Sequence, residues 1–134
     1  PVARGMKPDH YCAEPYVTPG NVDGPQSPTF GRGGWTWYSG SGAWMYRALA
    51  DYLLGVRATH QGLLVEPRTP AAWKSFTMTR RCRGATYDIA VTSRARTDKR
   101  RVTVRVNGKA LAGTLVPFAR PGSRVRVEVL IQDA

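Results

Sequence analysis

The sequence predicts an α+β chain, one helix followed by a set of strands that forms a β-sandwich or half of a jelly roll. Three observations predict it. Apolar residues between Ser41 and Leu54 recur at helical spacing. From Leu63 onward the pattern changes to period two. Asn107-Gly108 and Pro121-Gly122 punctuate that second region as turns.

Ahead of the helix, residues 1–34 hold six of the ten prolines and no hydrophobic period. The breakers Pro19-Gly20, Gly24-Pro25 and Gly33-Gly34 predict a long loop. Tyr11, Tyr16, Val17 and Phe30 are too apolar for a solvated linker, so the loop is expected to be ordered. A structureless loop of that length in a compact domain is usually functional.

The helix carries Trp44, Met45, Ala48, Leu49, Tyr52 and Leu53 on one stripe. Ser41 is the expected N-cap and Gly55 the expected C′ residue. Tyr46, Ala50 and Leu54 leave the other face only weakly polar. Such a helix packs against other helices, and the chain offers no second one. With Pro1 in place of an initiator Met, this reads as a piece of a larger protein. Strands are expected at 63–66, 76–82, 85–92, 101–106, 114–117 and 124–131.

A chain of 134 residues holds one modest domain. At 42% hydrophobic and 22% charged, its composition is globular. No apolar run approaches the roughly 18–20 residues of a membrane helix, and residues 1–10 have no signal-peptide core. Cys12 and Cys82 lack a metal-ligand spacing and read as free thiols in a reducing compartment, with one long-range disulfide as the alternative.

The net charge of +11 raises nucleic acid as a partner. Nine of the 20 basic residues lie between Arg80 and Arg105, but Arg101, Thr103 and Arg105 alternate there with Val102, Val104 and Val106. That is a strand with a solvated polar face. With 16 arginines against 4 lysines the excess also has a compositional source. No nucleic-acid motif is present.

Catalytic constellations are sparse. His10 and His60 sit in expected loops without a carboxylate or nucleophile at a diagnostic spacing. Of the nine acids only Asp9, Glu14 and Asp23 lie in the long loop. No phosphate-binding glycine loop or zinc signature appears. The segment Gly31–Trp44 does stand out. Ser39, Gly40, Ser41 and Gly42 precede or open the helix, where unpaired N–H groups and the dipole favour an oxyanion; simple capping explains the same residues. Trp35, Trp37 and Tyr38 either stack on a sugar or belong to the core.

Several of these runs resemble the C-terminal end of the inverting glycoside phosphorylases of glycoside hydrolase family 94. They are Glu14–Pro25 (Glu-Pro-Tyr-Val-Thr-Pro-Gly-Asn-Val-Asp-Gly-Pro), Gly31–Ser41 and Ala43-Trp-Met-Tyr-Arg47. Leu54–Arg57, Gly62–Pro67, Pro70–Lys74 and Arg83–Tyr87 continue the resemblance in order, strongly over residues 11–91. The family includes cellobiose, cellodextrin, chitobiose and cellobionic acid phosphorylases and the end of cyclic β-1,2-glucan synthases.

The resemblance implies that residues 1–58 are the active-site loop and last helix of an (α/α)6 barrel. Residues 59–134 would be a C-terminal antiparallel β-sandwich. It implies a reaction in which inorganic phosphate, a co-substrate and not a cofactor, attacks the anomeric carbon of a β-linked sugar. A general acid Asp and phosphate-binding Arg and His residues are expected upstream, so no catalytic residue and no metal is assigned here. The family's Thr-Gly matches Ser39-Gly40, which implies phosphate contact, although Ser41-Gly42 departs from its more usual Ser-Ala. Thr18, Pro19 and Gly20 are implied to border the sugar.

Expected partners are a β-linked oligosaccharide, phosphate, the remainder of the polypeptide and a homodimer mate, with no nucleic acid and no membrane; the expected location is cytoplasmic. The chain alone is expected to be inactive. The alternatives are the end of a cyclic β-1,2-glucan synthase and a standalone basic β-sandwich binding module.

Overall fold

A computed structural model describes residues 8–14, 17–37, 39–97 and 99–134, apart from the side chains of Pro8 and Ser39. Tyr16 and Tyr38, both singled out above, lie outside the described residues. The protein is small and mixed, mostly sheet with few helices. It divides into two compact units, Pro1–Ala48 and Leu49–Ala134.

In the first unit, helix α1 covers Pro8–Tyr11. Strands β1 (Asn21–Val22) and β2 (Gly33–Gly34) pair antiparallel, Asn21 with Gly34 and Val22 with Gly33. Residues 21–34 of the loop are therefore a hairpin, which short strands without hydrophobic alternation conceal in the sequence. Tyr11 is 1% exposed, and a Cβ on Gly33 would lie 2.9 Å from its ring. Glycine at 33 is the condition for that packing.

Helix α2 covers Ser39–Arg47. It starts two residues before the expected cap, so Ser41 lies inside the first turn. Its hydroxyl donates instead to the Thr18 carbonyl at 3.1 Å. The expected single helix also changes character. Ala48–Leu53 is a π-helical segment, in which the Leu54 N–H donates to the Leu49 carbonyl at 2.8 Å, five residues back. Trp44 is 77% exposed and Tyr46 63% exposed.

The second unit contains two sheets. The smaller has the order β3-β4-β9, with β3 Val56–Ala58, β4 Gly62–Val65 and β9 Leu115–Pro117. The larger has the order β5-β6-β10-β7-β8. Its strands are β5 Ser75–Cys82, β6 Ala85–Ser93, β7 Arg100–Val106, β8 Lys109–Ala110 and β10 Arg124–Asp133. The expected all-antiparallel arrangement is corrected at one pair: β10 runs parallel to β6, with Val127 opposite Ile89. The chain between them carries β7, β8 and β9, long enough for the crossover that a parallel pair requires.

Both sheets feed one core. Val56, Leu63, Val65 and Val116 come from the smaller sheet, and Tyr87, Ile89, Val127 and Ile131 from the larger. Each such side chain contributes roughly 1.5–3 kcal/mol relative to exposure. Two-residue turns set the register. Arg83-Gly84 (φ +49° and +77°) joins β5 to β6, and Asn107-Gly108 (φ +48° and +80°) joins β7 to β8. Both turns use the doubly positive φ that matches strand twist.

Candidate sugar and phosphate site

The residues singled out for substrate contact lie in the first unit. The Val17 N–H donates to the Glu14 carbonyl at 3.1 Å. The Gly20 N–H is shared between the carbonyls of Gly34 and Trp35, each at 3.1 Å. A Cβ on Gly20 would sit 3.0 Å from the Trp35 Cβ, so this crossing is set by a residue without a side chain.

Two side-chain ties, each spanning 23 residues, join this loop to the segment that enters α2. The Trp37 indole N–H donates to Glu14 Oε1 at 3.1 Å. Four residues further along both segments, the Ser41 hydroxyl reaches the Thr18 carbonyl. The Glu14 carboxyl is held below its ordinary range, first by a backbone N–H and then by the indole, against a small opposing effect of desolvation. An ionised Glu14 is the stronger acceptor, so charge and geometry reinforce each other.

Trp35 and Trp37 adopt left-handed backbone angles, φ +56° and +63°. Residues other than glycine are uncommon there. They are 68% and 71% exposed, so of the two alternatives for these aromatics, the core is not where the described pair lies. Thr18 and Pro19 are partly buried and Gly20 is exposed. Gly40 stands in the first turn of α2 with nothing within 4 Å of a Cβ placed on it, which leaves the backbone approachable. The structure brings Thr18 to the first turn of α2 and Gly20 to Trp35; Ser39 opens that helix, and its side chain is outside the description.

Sequence reasoning missed Glu14, Trp37 and Ser41 as ties. Glu14 and Trp37 each sit in a quoted motif, but a spacing of 23 residues corresponds to no local period. Beyond the loop, Asp23 accepts from the Thr29 hydroxyl at 2.6 Å and from the Asn21 amide at 3.3 Å, which closes the hairpin. His10 and His60 are exposed. Among the described residues no group of three His, Cys, Asp or Glu is placed to hold a metal. Cys12 and Cys82 are free thiols.

Comparison with known proteins identifies the family of this chain. Residues 1–55 match the model of the glycosyl hydrolase 94 superfamily, catalytic domain, a segment that contains the loop, both ties and α2. The N,N'-diacetylchitobiose phosphorylase of Vibrio proteolyticus is 35% identical over 119 residues, 89% of this chain and 15% of that protein. The solabiose phosphorylase of Paenibacillus borealis is 31% identical over 121 residues, 90% of this chain and 16% of that one. The cyclic beta-(1,2)-glucan synthase of Rhizobium meliloti is 41% identical over 83 residues, 62% of this chain and 3% of the synthase. The chain belongs to the glycosyl hydrolase 94 superfamily and spans a small part of the length of these relatives. Among the described residues no helix is long and apolar enough to cross a membrane.

Proposed function

We propose that this chain is the part of an inverting glycoside phosphorylase that brings a sugar-facing loop and a phosphate-facing helix start together. The observation that carries this reading is the pair of ties Glu14–Trp37 and Thr18–Ser41, found in the segment matched to the family. In the proposed reaction a phosphate oxygen forms a bond to the anomeric carbon while the bond to the glycosidic oxygen breaks. A general acid Asp elsewhere in the polypeptide protonates that oxygen, and the product is an α-sugar 1-phosphate. Ser39 and the first N–H groups of α2 donate to phosphate, and Thr18, Pro19 and Gly20 border the sugar.

In this reading residues 1–58 complete an (α/α)6 barrel, residues 59–134 form a C-terminal β-sandwich, and the chain alone is inactive. The bare apolar residues of α2, Trp44 and Tyr46 above all, support it, because a helix so exposed fits a barrel whose other helices cover it. A homodimer in the cytoplasm belongs to the same proposal. The 41% identity to the synthase favours a second reading, that the same half-site sits at the end of a cyclic glucan synthase.

The test uses the full-length protein, incubated with β-linked disaccharides with and without phosphate. Release of an α-sugar 1-phosphate supports the phosphorylase reading, and phosphate-independent cyclic glucan formation supports the second. Ser39→Ala is expected to raise the KM for phosphate roughly tenfold or more, the worth of a hydrogen bond to a charged group, with the sugar KM little changed. An unchanged phosphate KM removes Ser39 from the site.

A further inference from the structure

The outward face of the larger sheet is arranged differently from an ordinary solvated strand face. Alternation along each strand places Thr79 and Arg81 of β5, Thr86 and Asp88 of β6, and Arg124, Arg126 and Glu128 of β10 on the side away from the core. Arg101, Thr103 and Arg105 of β7 share that side, and Arg94 continues the alternation just past β6. Register aligns them in rows, with Arg81, Thr86 and Arg124 in one and Arg105 beside Glu128 in another.

Both carboxylates on this face are already paired, Asp88 with Arg124 and Glu128 with Arg126 at 2.9 Å. Among the described residues no ion pair joins Arg81, Arg94, Arg101 or Arg105 to an acid. Six arginines thus face two carboxylates. Strands lie about 4.8 Å apart and alternate residues about 7 Å apart, within a Debye length of about 8 Å at physiological salt, so these charges act together.

A shallow groove of about 710 Å³ crosses this face, bordered by Arg94, Arg105, Thr92 and Thr103 and by Arg126 with its paired Glu128, with Leu130 in its lining. We propose that this groove docks an anionic polysaccharide, a polyuronate whose carboxylates are taken by the arginine forks and whose hydroxyls meet the threonines. Guanidinium forks match carboxylates in two-point geometry, and no outward position of these strands is aromatic. That absence argues against single-stranded nucleic acid, which relies on base stacking, and against neutral glucans held by ring stacking. This inference stands apart from the phosphorylase reading, and either survives failure of the other.

The experiment measures binding of the full-length protein to polygalacturonate, to a neutral β-glucan and to duplex DNA at 50 and 300 mM salt. Expected are binding to polygalacturonate that falls at least tenfold between the two salt concentrations and no binding to the neutral glucan. The triple variant Arg94→Gln/Arg105→Gln/Arg126→Gln is expected to lose at least tenfold in affinity. The triple Arg→Lys variant, which keeps the charge and loses the fork, is expected to fall between the two. No binding at 50 mM salt overturns the proposal. So does a Gln variant that binds like wild type, a Lys variant that matches wild type, or duplex DNA binding as tightly as polygalacturonate.

Discussion

Asp51, in the π-helical segment, and Arg80, on β5, meet at 3.0 Å although 29 residues separate them. The Asp51 side chain is 1% exposed and that of Arg80 19%. Removing one side of a buried pair costs about 3 kcal/mol or somewhat more, whereas replacing both partners by apolar residues is close to neutral. Arg80→Met should therefore lower the urea midpoint sharply, and Asp51→Leu/Arg80→Met should recover most of the loss. A double variant no better than the single one would mean that the pair is not what joins this segment to the sheet.

Acid should weaken the second unit in a definite window. The Asp88 carboxyl is held below its ordinary value by the Arg124 guanidinium foremost. Asp133 is held down by the backbone N–H groups of Thr97 and then Arg96, and by the Thr97 hydroxyl. A depressed folded pKa stabilises above the unfolded value, near 3.9 for Asp, and that stability disappears as pH falls through the folded value. The urea midpoint should be level above about pH 5 and decline below about pH 4. Asp133→Asn should flatten the decline; a variant with the wild-type acid slope would exclude Asp133 as a source.

Gly55 is the turn out of the helical segment at φ +67°. A Cβ there would lie 2.0 Å from the Glu66 carbonyl oxygen, while the Glu66 N–H donates to the Gly55 carbonyl at 2.7 Å. Gly55→Ala therefore meets both a left-handed backbone and a main-chain collision, and should cost more than about 2 kcal/mol. Gly108→Ala, at φ +80° with open space around it, should cost about 1 kcal/mol. Equal thermal shifts in the two variants would remove the collision at position 55 from the explanation.

Ser41→Ala removes the tie to Thr18 and should cost about 1 kcal/mol locally. Amide exchange at Gly20, whose N–H bonds across to Gly34 and Trp35, should quicken in this variant and again in Trp37→Phe, which keeps the ring and loses the donor. Unchanged exchange in both would show that the loop is held by its backbone bonds alone.

Much of the architecture was legible beforehand because it rests on short-range rules. Period-two alternation located the longer strands to within a residue or two, since one buried face forces that pattern. Asn107-Gly108 specified its turn because few residues accept two positive φ angles in succession. The family motifs were legible for the same reason that they are contiguous.

What the chain's pattern could not specify depends on distant partners. Ser41 reads as a cap because hydroxyls cap helices locally, yet the Thr18 carbonyl, 23 residues away, accepts its hydrogen bond. The parallel pairing of β10 with β6 was hidden because hydrophobic alternation is the same for either strand direction. The sequence by itself determined six of the ten strands, the Asn107-Gly108 and Pro121-Gly122 turns, the excess of arginine and the family. Only the tertiary structure decided which loop meets which helix start, and which arginines share a face, because sheet register and side-chain ties join residues that no local period relates.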